Sequence, residues 1–155
     1  MGGLHYDLGQ NTPGGFGQFI RVPSSWVMPL TKGISLYESM IYGTAGFTAG
    51  LAIDKLQRQG ISPENGPIVV TGATGGVGSI SIALLSRLGY SVTASSGKKD
   101  ASIFLKRLGA SKVIDRKILS NKSGFNLLKE EWAGAIDSVG GNTLATLLKS
   151  CKQNG

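Results

Sequence analysis

"IVVTGATGGVGS", residues Ile68 to Ser79, is the stretch on which the reading of this chain turns. A short β-branched run breaks into four glycines within the seven residues Gly72 to Gly78, and an apolar pattern of helical spacing follows. A strand that turns through glycines into a helix offers free backbone N–H groups and the positive end of a helix dipole to a phosphate. In the nucleoside-triphosphate version of this loop, GxxxxGK[ST], a lysine contacts the terminal phosphates. No lysine follows these glycines and the spacing fails in every register, which excludes triphosphate hydrolysis.

Two other loops fit. Thr71-Gly72-Ala73-Thr74-Gly75-Gly76-Val77-Gly78 matches TGxxxGxG and so resembles the short-chain dehydrogenases. That family places the loop near its N-terminus and needs a Tyr four residues before a Lys. Here the residues four beyond Tyr6, Tyr37, Tyr42 and Tyr90 are Gln10, Ile41, Gly46 and Ala94. The alternative is the GxGxxG turn of a Rossmann unit, aligned on Ala73-Thr74-Gly75-Gly76-Val77-Gly78 with Ala73 in place of the first glycine. In that register Gly75 lets the backbone approach a pyrophosphate, Gly78 lets the helix pack on the strand, and Gly76 and Val77 begin the helix whose N–H groups face the anion.

Outward from the loop, strand and helix patterns alternate. Strands are expected at Ile68 to Thr71, Ser91 to Ser95, Lys112 to Ile114 and Gly134 to Ser138. Helices are expected at Val77 to Leu88, Ser102 to Leu108 and Thr143 to Lys152, with a weaker helical segment around Phe125 to Trp132. Short β-branched strands between helices imply a parallel sheet covered on both faces, so the expected class is α/β with a doubly wound, Rossmann-type sheet. About four strands where such a sheet usually has six imply that the chain stops before its fold is complete.

Upstream, Ser35-Leu36-Tyr37-Glu38 reads as a capping box that opens a helix. This helix is interrupted near Gly43-Thr44-Ala45-Gly46, resumes with Phe47, Leu51, Ile53 and Leu56, and closes at Gly60. The first thirty residues are rich in Gly and Pro, with an alternating run from Phe16 to Arg21 and a strand-like piece from Trp26 to Leu30. They read as the end of a β-rich domain. The expected divisions are 1–34 for that remnant, 35–66 for linking helices and 67–155 for the nucleotide-binding unit.

The end of the second strand distinguishes one dinucleotide from another. An NAD site presents Asp or Glu there to the ribose 2′-hydroxyl, whereas this chain reads Ser95-Ser96-Gly97-Lys98-Lys99. A hydroxyl, a glycine and a cation suit a 2′-phosphate, with Ser96 donating a hydrogen bond and Lys98 supplying charge, so NADP(H) is the expected cofactor. The competing readings are a solvated turn and, more remotely, Asp100 as a ribose acceptor.

Composition bounds the rest. With 155 residues and 41% hydrophobic content the chain holds about one domain's worth of core. No stretch approaches the ~20 apolar residues of a membrane-spanning helix, and no signal segment opens the chain, so a cytoplasmic protein without a membrane partner is expected. One Cys and one His leave too few soft ligands for a zinc site, so no metal is expected. Cys151 falls in an apolar helical pattern with Leu144, Leu147 and Leu148 and reads as a buried structural residue; His5 reads as a surface residue. Of the net charge of +7, most lies beyond residue 97, where eleven basic residues face five acidic ones. No interleaving of basic and aromatic residues accompanies it, so nucleic acid is not an expected partner.

Several stretches together resemble the medium-chain dehydrogenase/reductase superfamily, specifically its zinc-independent, quinone-oxidoreductase-like branch that includes acryloyl-CoA reductases. They are Gly14-Gly15-Phe16 with Trp26, "MIYGTAGFTAGLA" (Met40 to Ala52), "VVTGATGGVGS", "SSGKKD", "LGASKVIDR" (Leu108 to Arg116) and "WAGAIDSVGG" (Trp132 to Gly141). The resemblance implies a GroES-like catalytic domain joined to a Rossmann domain, and hydride transfer from NADPH to a quinone or an activated carbon–carbon double bond. Members of the family are about twice this length, so the first 34 residues would be the tail of the GroES-like domain. Carried over by position, Thr74, Gly75, Gly76 and Val77 would serve the pyrophosphate, and Ser96, Gly97 and Lys98 the 2′-phosphate. Arg116 would lie beside the adenine ribose phosphate, Thr44 near the nicotinamide, and Ser138 and Val139 along the cofactor ribose.

The reading is therefore the cofactor-binding part of an NADPH-dependent reductase acting on a small-molecule acceptor: a quinone, an enone or an acyl-CoA. No side chain is identified as a proton donor; Tyr42 is read as packing. The segment alone is expected to be inactive. The other classes are a short-chain dehydrogenase-like protein, a binding module that holds a nucleotide without reducing anything, and a fragment that forms a homodimer through its open fourth strand.

Overall fold

The computed structural model describes residues 8–9, 11–120 and 125–153, and the chain divides after Leu36 into two units. In the first unit Ser24–Trp26 form a single 3-10 turn and the other described residues are irregular. The alternating run from Phe16 to Arg21 and the stretch from Trp26 to Leu30, expected as strands, form none. A lone alternating segment has no ladder to join, and Phe16, Phe19 and Met28 are left exposed. His5 lies outside the described residues.

All of helix α1 (Leu36–Arg58) but its first residue lies in the second unit, and the helix is kinked at Gly43 where φ is 45° and ψ is −150°, as the Gly43 to Gly46 interruption requires. A left-handed φ of that kind is open to glycine at little cost, and the kink falls where the sequence supplies one. Four parallel strands follow with their helices: β1 (Ile68–Val70), α2 (Gly76–Arg87), β2 (Val92–Ser96), α3 (Ala101–Arg107), β3 (Lys112–Asp115), β4 (Gly134–Ile136) and α4 (Gly141–Ser150). Their order in the sheet is β3-β2-β1-β4, with Ile68, Val69 and Val70 paired to Val92, Thr93 and Ala94 on one side and to Gly134, Ala135 and Ile136 on the other. This is a Rossmann-type α/β sheet. The order reverses between β1 and β4, and a crevice at the carboxyl ends of strands at such a point is where open α/β sheets hold ligands.

All three β1 residues are fully buried, which explains their unbroken apolar run. Ile68 and Val70 face a cluster formed by Ile53 of α1, Ile82 and Leu85 of α2 and Leu105 of α3, while Val69 faces Leu119, Trp132 and Leu147 of α4. Both faces are thus covered, the second by fewer side chains.

Residues 125–132, expected to be weakly helical, instead form no helix and are irregular up to the bridge at Trp132. The N–H groups of Leu128 and Glu131 donate to the carbonyls of Lys149 and Ser150, both at 2.8 Å. The C-terminal carbonyls of α4 are satisfied in this way, and the tertiary pairing overrides the helical spacing of Phe125, Leu128 and Trp132. The chain leaves α4 after Ser150, two residues before its expected end, and Cys151 makes a parallel bridge with Trp132. Because the Ala133 N–H donates to Pro67 while the Trp132 carbonyl accepts from Lys152 at 2.8 Å, this bridge lies on the side of the strand away from β1. That is where a fifth strand begins in a sheet of this order.

Among the described residues no helix is long and apolar enough to cross a membrane. The packing of α4 has a direct test, because neighbouring leucines face opposite ways: Leu147 is 1% exposed and Leu148 is 69% exposed. Leu147→Ala is expected to cost about 2–5 kcal/mol in urea denaturation, and Leu148→Ala less than about 0.5 kcal/mol.

Candidate cofactor site

The site is built from the turn between β1 and α2. Gly72 has φ 56°, and a Cβ there would run into the Ser138 hydroxyl. The tight turn is therefore made by Gly72, one position before Ala73. Ala73 itself is fully buried in the core cluster, and its N–H donates to the Ser95 carbonyl at 3.3 Å. Gly75 donates its N–H to the Gly72 carbonyl at 2.8 Å and caps α2 through its backbone alone, since no side chain caps this helix. At Gly78 a Cβ would lie 2.5 Å from the Gly72 carbonyl oxygen and 2.8 Å from the Ala73 Cα, so only glycine lets the first turn of α2 lie against the end of β1. Gly75 and Gly76 are exposed at that helix start. The helix thus presents uncapped N–H groups and its positive end to the crevice.

At the end of β2 the Ser96 hydroxyl accepts the Lys98 N–H at 3.1 Å, which leaves its proton free to donate. Arg116, in the turn after β3, lies across Gly97: a Cβ on Gly97 would sit 2.7 Å from the Arg116 Nε. Thr74, Ser96, Gly97, Lys98, Arg116 and Val139 line one cleft of about 250 Å³. No carboxylate lines it, and among the described residues neither Lys98 nor Arg116 is in an ion pair. Asp100 lines a neighbouring hollow with Thr74 and Lys98, and the Asp115 carboxylate accepts the Lys117 N–H at 2.8 Å.

No family model matches the chain. It is 47% identical over 150 residues to the putative quinone oxidoreductase YhfP of Bacillus subtilis, covering 97% of this chain and 46% of that protein. It is 43% identical to the probable acrylyl-CoA reductase AcuI of Escherichia coli, with the same coverage. Its fold superposes with a TM-score of 0.91 on the yhdH oxidoreductase from Salmonella enterica in complex with NADP, at 44% identity over 96% of this chain and 45% of that one. For Bacillus subtilis yhfP with NAD bound the TM-score is 0.92, over 97% of this chain and 46% of that one. Over nearly its whole length the chain is similar to members of the quinone-oxidoreductase-like branch of the medium-chain dehydrogenase/reductase superfamily, and it spans about half the length of the curated relatives it matches.

Against that family's pattern, the residues expected at the site do not all meet in one place. Val77 and Ser138 border a different hollow, an apolar groove of about 420 Å³ along β4 that is walled by α1 and α4. Thr44 is exposed at the α1 kink, and its carbonyl accepts the Thr48 hydroxyl at 2.8 Å. Its neighbour Ala45 lies against the start of α2, since a Cβ on Gly76 would be 3.0 Å from the Ala45 Cβ. Cys151, expected to be buried, is half-buried in the β4 groove, where desolvation pushes its thiol up from the ordinary range and away from reactivity.

Sequence reasoning passed over Thr71 and Asp137. The Thr71 hydroxyl donates to the Asp137 carboxylate and accepts the Ser138 N–H at 3.1 Å, tying the ends of β1 and β4 together across the crevice. The available signal was an Asp directly after a strand and three residues before a glycine, which is also an ordinary turn pattern.

Two glycines of the site separate fold from function. Gly78→Ala meets backbone and is expected to destabilise the chain by about 1–3 kcal/mol. Gly97→Ala meets only the movable Arg116 side chain, and its stability in thermal denaturation is expected to stay within about 0.5 kcal/mol of the parent.

Proposed function

We propose that this chain is the cofactor-binding part of an NADPH-dependent oxidoreductase of the quinone or enoyl/acryloyl-CoA reductase type. The observation that carries the reading is the cleft at the ends of β1 to β3, in which the glycine turn leading into α2 meets Lys98 and Arg116, neither in an ion pair among the described residues, with no carboxylate in the lining. The glycines of the β1–α2 turn leave room for a pyrophosphate, and the Ser96 hydroxyl, Lys98 and Arg116 suit a 2′-phosphate. Relatives solved with NADP or NADPH support the same cofactor, although the Bacillus subtilis relative was solved with NAD.

When bound, a nicotinamide cofactor supplies a hydride. The residues of this chain bind and orient it: Thr74, Gly75, Gly76 and Val77 serve the pyrophosphate, Ser96, Gly97, Lys98 and Arg116 the adenosine phosphate, and Thr44, Ser138 and Val139 the nicotinamide half. In this reading residues 1–34 are the tail of a GroES-like catalytic domain, 35–66 the linking helices and 67–155 the Rossmann domain. The acceptor is a small molecule reduced in the cytoplasm, by positioning and carbonyl polarisation rather than by a proton donor from this chain. The open edge of β4 is the surface on which a homodimer would form.

Fluorescence titration tests the cofactor assignment. Arg116→Ala and Lys98→Glu are each expected to weaken NADPH binding by about ten- to a hundredfold, the size of a lost charged contact, and to leave NADH within about twofold. Equal binding of both cofactors by the parent chain would contradict it. Mixed with NADPH and either a quinone or acryloyl-CoA, the chain is expected to show little loss of absorbance at the nicotinamide band; sustained turnover would show that it is a reductase by itself.

A further inference from the structure

The geometry points to Asp137 as a positioning residue that holds the β4 side of the cofactor crevice in its binding shape. The inference rests on the cofactor reading above. Three donors converge on this one carboxylate: the Thr71 hydroxyl and the Val139 N–H on Oδ1, the latter at 3.3 Å, and the Gly140 N–H on Oδ2 at 2.8 Å. An ionised carboxylate only accepts, so it satisfies all three at once; an amide would turn an NH2 toward at least one of them.

Two further bonds close the arrangement. The Ser138 N–H donates to the Thr71 hydroxyl oxygen at 3.1 Å, and the Ser138 hydroxyl donates to the Thr71 carbonyl at 3.2 Å. Residues 138–140 are thereby fastened to Thr71, the residue that follows β1, rather than left as a free loop. The consequence reaches the glycine turn, because Gly72 follows Thr71 directly and a Cβ on it would meet Ser138 and, at 3.7 Å, Val139. Val139 lines the cleft while being 59% exposed, so packing does not hold it; its backbone bond to Asp137 does.

Placement decides which half of a dinucleotide depends on this clamp. Lys98 and Arg116 lie beyond β2 and β3, on one side of the point where strand order reverses, while the clamp joins β1 to β4 across that point. A dinucleotide spans that point. Thr71 and Val139 line the same cleft as Lys98 and Arg116, but neither cation takes part in the clamp's hydrogen bonds, so the clamp bears chiefly on the half of the ligand that lies over β4.

The test compares two ligands, NADPH and 2′,5′-ADP, the second carrying only the adenosine end. Asp137→Asn is expected to raise the dissociation constant for NADPH about tenfold and to leave that for 2′,5′-ADP within about twofold. Thr71→Val is expected to share the loss, and Thr71→Ser, which keeps the hydroxyl, to recover most of it. Unchanged NADPH binding by Asp137→Asn would overturn the inference, and so would an equal loss of both ligands, the mark of general loosening. Should Asp137→Asn fail to fold, equal NADPH binding by Thr71→Val and Thr71→Ser would overturn it, and a difference between them would support it. Failure of the parent chain to bind either ligand would strike at the cofactor reading itself.

Discussion

The contact between the start of α2 and the end of β1 is the constraint on which the rest of the structure depends. At Gly78 the helix backbone lies so close to Gly72 and Ala73 that no side chain fits between them. This approach directs the first turn of α2 at the carboxyl end of the strand, leaves its N–H groups without a side-chain cap, and buries Ala73 in the core. The same close packing that stabilises the sheet thus leaves a helix start without a side-chain cap, the kind of helix end that favours an anion. Burial of Ile82 and Leu85 then holds α2 against Ile68 and Val70.

Around that contact the crevice has two sides of different chemistry. Toward β2 and β3 it is cationic, with Lys98 and Arg116 in no ion pair among the described residues and Arg116 laid over Gly97. Toward β4 it is a backbone-rich loop whose shape is set by hydrogen bonds to Asp137. An uncapped helix start stands between the two. Charge and geometry are therefore divided between strands in the way that a dinucleotide is divided into an adenosine phosphate end and a nicotinamide end.

Much of the fold was legible in the sequence, for physical reasons. The β-branched runs at Ile68, Val92, Lys112 and Gly134 became four parallel strands, and the glycine pair Gly43 and Gly46 marked the kink in α1. The cleft gathers Thr74, Ser96, Gly97, Lys98, Arg116 and Val139, as strand-end spacing in a sheet of this order requires. Where local pattern and tertiary pairing competed, the pattern misled. Phe125, Leu128 and Trp132 have helical spacing, yet their segment is not helical, because its N–H groups serve the last carbonyls of α4. Phe16 to Arg21 alternates suitably for a strand and Trp26 to Leu30 is strand-like, but neither has a strand partner among the described residues of its unit. The turn glycine was displaced by one, from Ala73 to Gly72, because a motif register records spacing and not φ. Asp137 was invisible because its meaning lies in its three donors, one of which, Thr71, is 66 residues away.

A titration of the isotopically labelled chain with NADPH, followed by two-dimensional amide NMR, tests most directly whether this crevice is a dinucleotide site. The largest saturable shifts are expected at the N–H groups of Gly75, Gly76, Val77, Gly97 and Lys98, with Val139 and Gly140 responding to NADPH and not to 2′,5′-ADP. Shifts confined to the apolar groove along β4, or scattered over the basic surface without saturation, would contradict it.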